Sequence, residues 1–363
     1  MSKVYFTNMR TTYDNNMLDK FKKLLIKSDF NSINFNNKFV ALKIHFGEYG
    51  NLAFIKPNYV KVISDLIKEK GGYPFVTDCS TLYSGTRSNA ISHINTAELN
   101  GFNSTTTGCP IIIGDGLKGN DYKEIEVNLK HCSTVKIGNA ITEADIIISL
   151  NHFKGHEQAG FGGALKNLGM GCGSKLGKLE MHSGSKPIID KDTCITCGLC
   201  AENCNQKAIN IEDKAIIDYN KCVGCGECIV VCPQKAISQK EMSQSTILNE
   251  KIVEYVYGVL KDKQHYHINF IMNVSPNCDC WSNNDLAIVP DIGIIASSDP
   301  VSIDKASSDL VNKADIVKGS ILDGLENKFE DKFSCIHSNI DWKSGLEYAE
   351  KLNIGTMDYD LID

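Results

Sequence analysis

Eight cysteines between Cys194 and Cys232 repeat one spacing. Cys194, Cys197, Cys200 and Cys204 recur 28 residues later as Cys222, Cys225, Cys228 and Cys232. Each half reads C-x2-C-x2-C-x3-C, in which three close thiolates wrap one cubane iron–sulfur cluster and the fourth crosses to a second. The spacing therefore predicts two [4Fe-4S] clusters. Cys194, Cys197, Cys200 and Cys232 would hold one; Cys222, Cys225, Cys228 and Cys204 would hold the other. Soft thiolates also suit zinc, but a zinc ribbon spends two CxxC knuckles on one ion and leaves four cysteines unexplained. Gly198, Gly224, Gly226 and the QKAI that follows each half (206–209, 234–237) strengthen the duplication.

A second group of reactive residues lies just before, in NHFKGHEQAGFGGALKNLGMGCGSKLGKLEMH (Asn151–His182). It interleaves His152, His156 and His182 with Lys154, Lys166, Lys175 and Lys178. Glycines let backbone amides approach a bound group, and lysines supply cations for phosphate or carboxylate. An anionic ligand is expected here, with Lys154, Gly162, Gly163 and Asn167 as binding candidates and His156, Lys166 and His182 as catalytic ones. Neither GxGxxG nor GxxxxGK[ST] is present. The competing reading is a long glycine-rich loop that merely docks the cysteine segment.

A third group is PNCDCW (Pro276–Trp281). In an extended strand, Cys278 and Cys280 would face the same side, as a metal chelate, a redox thiol pair or simple packing. Cys172 is the expected third thiol, on composition alone. Cys79, Cys109, Cys132 and Cys335 read as small buried hydrophobes.

The elements that must position these groups alternate strand and helix. Strands are expected at Phe39–Phe46, Tyr73–Asp78, Cys109–Gly116, Ala144–Phe153, Tyr266–Val274 and Leu286–Ala296. Helices are expected from Pro57 to Gly71, at Ser88–Leu99, at Asn249–Lys263, and at Asp299–Val311 with Asp299-Pro300 at its start. Strands apolar on both faces argue for a mostly parallel α/β sheet, whose ligands sit beyond the carboxyl ends of the strands. His45, Asp78, Asp115, Asn151 and His152 fall at those ends; His45, Asp78 and Arg87 complete the expected pocket. The simplest division is an α/β core in two parts, 1–185 and 241–363, with a small α+β domain at 186–240 inserted between them.

The 363 residues, 42% hydrophobic and 23% charged, suit a globular chain with ample core. A net charge of −6 without a basic block argues against nucleic acid or an anionic membrane as partner. No apolar run approaches a membrane span, and the first residues lack a signal-peptide core. Fifteen cysteines, an odd number dominated by the doubled run, point to a reducing cytoplasm in an anaerobic host.

The segment 186–240 resembles a bacterial-type two-cluster ferredoxin domain, with Asn205 where that family places proline and Pro233 keeping it. The whole chain resembles the family called domain of unknown function 362. KIHFGEYGN (Lys43–Asn51), Asp78–Arg87, NHFKGHEQAGFGGALKNLGMG, the CDC and PDIGIIASSDPVSIDKAS (Pro290–Ser307) carry that likeness. HEQAGFGGALK with Met181-His182 is also similar to the catalytic segment of the nickel-dependent lactate racemase family. That resemblance implies His156 as acid/base, Lys166 as anchor of a modified pyridinium cofactor and His182 as nickel ligand. Leu165 stands where that family has arginine, and its proline-glycine is missing. The expected function is an iron–sulfur oxidoreductase that exchanges electrons with a redox partner protein and acts on an anionic substrate or small cofactor. The alternatives are a non-catalytic electron carrier and a metal- or cofactor-maturation protein.

Overall fold

The computed structural model describes residues 1–83, 85–182, 186–204, 206–224, 227–234, 236–239, 242–325 and 330–363. Seven strands form one sheet in the order Tyr359–Ile362, Ser2–Asn8, Gly293–Ser297, Gln264–Ile271, Ile146–His152, Phe39–Lys43, Tyr73–Thr77. Every pairing is parallel except the two made by Gly293–Ser297. The α/β expectation holds, with one antiparallel strand in a mostly parallel sheet.

Side-chain alternation explains why this sheet is buried on both faces. Ile146, Ile148 and Leu150 pack into one apolar cluster with Phe21, Val60 and Phe270, while Ile147 packs into the other with Leu168, Val256 and Ile303. The strand Ile146–His152 is buried at all seven positions. Its neighbours come from either side of residues 186–240, so one core is built from both flanks of that segment. Within the segment, Ile209–Ile211 pairs with Ala215–Ile217 and Pro187–Ile189 with Ile237–Gln239, both antiparallel.

Several expected boundaries shift. Cys109–Gly116 is not a strand: Ile111 makes a lone bridge to Val76, with Ile112 N–H donating to Val76 O and Gly114 N–H to Asp78 O before the chain turns. The helix expected from Asn249 begins at Met242. The strand expected from Leu286 starts at Gly293, since Pro290 lacks the N–H a ladder needs. Ser2–Asn8, Met17–Lys27 and Tyr359–Ile362 are further elements beyond those expected, although Met17–Lys27 carries its own Asn16 cap and an apolar face of Phe21, Leu24 and Leu25. Among the described residues no helix is long and apolar enough to cross a membrane.

Candidate functional site

Four cysteines of the doubled run come together as their spacing predicts. Cys194, Cys197, Cys200 and Cys232 line one hollow, walled by Ile195, Ile211 and Ile237. Cys204, Cys222 and Cys228 line another with Pro187 and Ile217. Cys225, with Asn205 and Gly226, lies outside the described residues. In both hollows the fourth cysteine of one half sits with the first and third of the other. The backbone repeats too: Ala208 N–H donates to Cys204 Sγ, and Ala236 N–H to Cys232 Sγ, each at 3.3 Å. Clustered thiol donors, apolar walls and N–H groups aimed at sulfur are what a cubane requires, so these residues fit one.

The remaining candidates surround a cavity at the carboxyl ends of adjacent parallel strands. His156, Lys166, His182, Asp78 and Arg87 all line it, as do His45, His152, Lys154, Gly163, Asn167 and Cys280. Gly162 and Cys278 are not part of its wall. The chain runs outward from Phe39–Lys43 to Tyr73–Thr77, then returns to place Ile146–His152 on the other side. Ligand crevices open where strand order reverses in this way. Asn167 sits at that reversal: its Nδ2 donates to Leu150 O at 3.0 Å and Lys43 O at 3.3 Å.

Asp78 and Arg87 are tied into a buried charge network. Lys43 Nζ lies 3.0 Å from Asp78, and Arg87 pairs with Glu48 at 3.1 Å and approaches Asp78 at 3.7 Å. Burial alone would raise the Asp78 pKa, but Lys43 and the neighbouring cations bring it below its ordinary value. Asp78 therefore works as the counter-ion that holds two cations in place.

The CDC segment is a tight turn rather than a strand. Cys280 N–H donates to Cys278 Sγ at 3.3 Å, and Lys166 Nζ stands 3.3 Å from the same sulfur. Burial raises the Cys278 thiol, yet a side-chain hydrogen bond from the Cys280 thiol and the Lys166 and Lys154 cations bring it down to about 6. The Cys280 thiol moves the other way, well up, through that same side-chain hydrogen bond and burial. Between them, Asp279 accepts from His152 Nδ1 at 2.8 Å, while His152 Nε2 donates to Met272 O at 2.8 Å. Burial opposes ionisation of Asp279, but His152 and Lys154 hold its pKa well below the carboxylate range. His152 is thus committed to anchoring the turn. Cys172 does not join the pair, contrary to expectation: its carbonyl accepts from the Cys79 thiol at 3.4 Å. Both side chains belong to the apolar core. His45 stands there instead, and its donor atom and the two sulfurs lie within 4.8 Å of one another.

The histidine tautomers are set by backbone donors. Gly47 N–H donates to His45 Nδ1 at 3.0 Å; Gln158 and Ala159 N–H both donate to His156 Nδ1 at 3.1 Å. Burial, reinforced by nearby cations, pushes both rings well below the ordinary histidine pKa. Each ring is therefore neutral, with its proton on Nε2, and offers a donor rather than a base. Burial with His156 and Lys166 nearby takes His182 down to about 3. Lys166, whose pKa rises because the Cys278 thiolate and the acidic groups around it outweigh its burial, is held as a cation.

The two candidate glycines owe their place to neighbouring side chains. A Cβ on Gly163 would stand 2.2 Å from Asp304 Oδ1, and one on Gly162 2.9 Å from Lys154 Nζ. Asp304 lies in the Pro290–Ser307 stretch, where no pattern singles it out as a site residue, yet it shapes the site. Its carboxylate accepts Ala164 N–H at 2.7 Å and Leu165 N–H at 2.9 Å, capping the helix Ala164–Cys172 that carries Lys166 and Asn167. Burial raises its pKa to about 6. Glu157 is a second residue that sequence reasoning misses; it accepts from Trp281 Nε1 at 3.1 Å and ties the cavity loop to the CDC turn. Asp299-Pro300 is legible as a helix start, but nothing local marks Asp304, which lies 140 residues from the amide it caps.

The chain belongs to the family described as Domain of unknown function (DUF362), matched over residues 40–309. No curated protein matches it. Among solved structures it is similar to a protein from Thermotoga maritima at 12% identity and TM-score 0.45, covering 82% of this chain and 59% of that one. It is also similar to the lactate racemase apoprotein from Thermoanaerobacterium thermosaccharolyticum at 10% identity and TM-score 0.40, covering 75% of this chain and 51% of that one. The chain thus spans between half and three-fifths of the length of these two proteins.

Proposed function

We propose that this chain is an iron–sulfur oxidoreductase of a reducing cytoplasm, in which two [4Fe-4S] clusters exchange electrons with an anionic substrate or small cofactor held in the central cavity. The observation that carries this reading is the closeness of the two sites. His182 lines the cavity and Pro187 lines the hollow of Cys204, Cys222 and Cys228. Five residues of chain bound their Cα separation at about 18 Å.

The cavity side of the reaction rests on charge. Arg87, Lys154 and Lys166 bring cations to a mostly apolar wall that includes Leu150, Met170, Leu248 and Ile252. Such a wall keeps water out and strengthens their hold on an anion. The Nε2–H group of His156 is a preorganised donor, suited to stabilising negative charge as it develops on a bound group. The clusters, when bound, supply electrons one at a time. A redox partner protein would dock beside the first cysteine hollow, where Ile195 is 59% and Leu199 39% exposed and Cys197 is accessible.

The test begins with anaerobically purified protein. About eight iron per chain and a dithionite-reducible spectrum are expected. Native mass spectrometry should detect a small anionic molecule that Lys166→Ala and His156→Ala no longer retain, while iron is kept. Zinc in place of iron overturns the reading. Intact clusters whose electron transfer to the native partner is unchanged in both variants turn it into that of a carrier alone.

A further inference from the structure

Seven cysteines lie outside the doubled run. Burial raises the thiol pKa of Cys79, Cys109, Cys132, Cys172 and Cys335. Cys278 and Cys280 differ. Their turn brings both sulfurs within 4.8 Å of one another and of His45, and Cys280 is on the cavity wall. We propose that Cys278 and Cys280 are a dithiol–disulfide couple that stores two electrons beside the cavity.

The same three residues resemble a soft-metal site, and geometry decides between the two. A histidine ligates metal through a ring nitrogen lone pair. His45 Nδ1 already accepts from Gly47 N–H, which leaves the proton on Nε2, 3.6 Å from Cys280 Sγ. The third donor therefore meets sulfur with a hydrogen. Lys166 Nζ, 3.3 Å from Cys278 Sγ, adds a cation where a divalent ion would need the charge of the thiolates. Both contacts suit sulfur that cycles between thiolate and disulfide: Lys166 stabilises the thiolate on Cys278, and His45 Nε2–H donates to the sulfur of Cys280.

Oxidation joins the two sulfurs and breaks one S–H bond. Cys278 starts as thiolate and Cys280 as thiol, so the pair loses two electrons and a single proton, which leaves through the cavity mouth to bulk water. The two iron–sulfur clusters, when bound and oxidised, would take one electron each, and reduction would retrace the route. Asp279 is anchored by His152, so closure to a disulfide bond of about 2.0 Å falls to rotation of Cys280, the sulfur on the cavity side. The couple gives one-electron clusters a two-electron relay. Only its electron source rests on the oxidoreductase reading; the couple itself does not.

The test uses the full chain, purified anaerobically and equilibrated in dithiothreitol redox buffers of stepped potential. Samples are acid-quenched, alkylated and digested, and the peptide carrying both cysteines is weighed; iron is counted on the same samples. Both thiols should disappear together in one transition, and Cys280→Ser should leave Cys278 alkylated at every potential. Thiols that stay alkylated throughout overturn the proposal. So does a stoichiometric metal ion other than iron that is lost in Cys278→Ser. A clean thiol transition with iron far short of two clusters upholds the couple and removes the cluster reading instead.

Discussion

Lys166 and Cys278, separated by 112 residues of chain, meet with Nζ 3.3 Å from Sγ. The pair joins the glycine-, lysine- and histidine-rich segment to the CDC turn, which in the sequence are two unrelated features. It also places a buried cation and a thiolate next to the cavity.

Replacing Lys166 with Met removes the cation and leaves similar bulk. The pKa of Cys278, now about 6, should then rise by about 1–3 units, the size of a close charge effect. The pH profile of Cys278 alkylation in a Cys280→Ser background measures it. An unchanged midpoint would mean that the turn hydrogen bonds, rather than Lys166, ionise the thiol.

The same thiol makes stability depend on pH. Its folded pKa of about 6 lies below the ordinary 9.0, so the ionised form contributes fully above pH 9 and is lost as pH falls toward 6. Denaturation of the parent and Cys278→Ser between those pH values should show their difference in stability shrinking by about 1–3 kcal/mol on acidification. A constant difference rules out a thiolate in the folded chain.

Asp304→Ala should cost about 2–4 kcal/mol, because it strands the buried amides of Ala164 and Leu165 and the Asn269 side chain that donates at 2.9 Å. Asp304→Asn keeps an acceptor and should cost less. Chemical denaturation ranks the two, and equal costs would show that the cap is not what the carboxylate supplies.

Gly163→Ala forces a Cβ to within 2.2 Å of Asp304 Oδ1. The backbone must shift, at a cost of about 1–3 kcal/mol. Because the shift moves the start of the helix carrying Lys166, the Cys278 alkylation profile should change with it. Loss of stability alone would mean the helix slides without disturbing the Lys166–Cys278 contact.

The crossed cysteine sets predict paired phenotypes. Cys232→Ser should remove the same cluster as Cys194→Ser, about four iron, and Cys204→Ser the same as Cys222→Ser. Electron paramagnetic resonance of the reduced variants separates the two signals. Cys232→Ser matching Cys222→Ser would undo the crossed assignment.

What is legible in the sequence is whatever local spacing encodes. The period of 28 residues specifies the cysteine sets, because ligand reach depends on a few intervening residues. Continuous apolar runs such as Ile146–Leu150 mark a sheet covered on both faces, and the helix at Pro300–Lys313 carries its own Asp299 cap. Strand-end polar residues His45, Asp78 and His152 point to one cavity because parallel strands bring their carboxyl ends together.

Tertiary structure decided the rest, and each instance turns on contact between distant segments. Composition favours Cys172 as third thiol, but the core takes it and His45 arrives instead. His156 has the residue type of a base, yet the Gln158 and Ala159 N–H groups fill its Nδ1. Asp304 carries no local mark, since it caps a helix that begins 140 residues earlier. Spacing along the chain determined the eight-cysteine pattern by itself. The thiolate at Cys278 depends on the Cys280 side chain and on Lys166 and Lys154 converging on one turn from other elements, and only folding brings those cations within range.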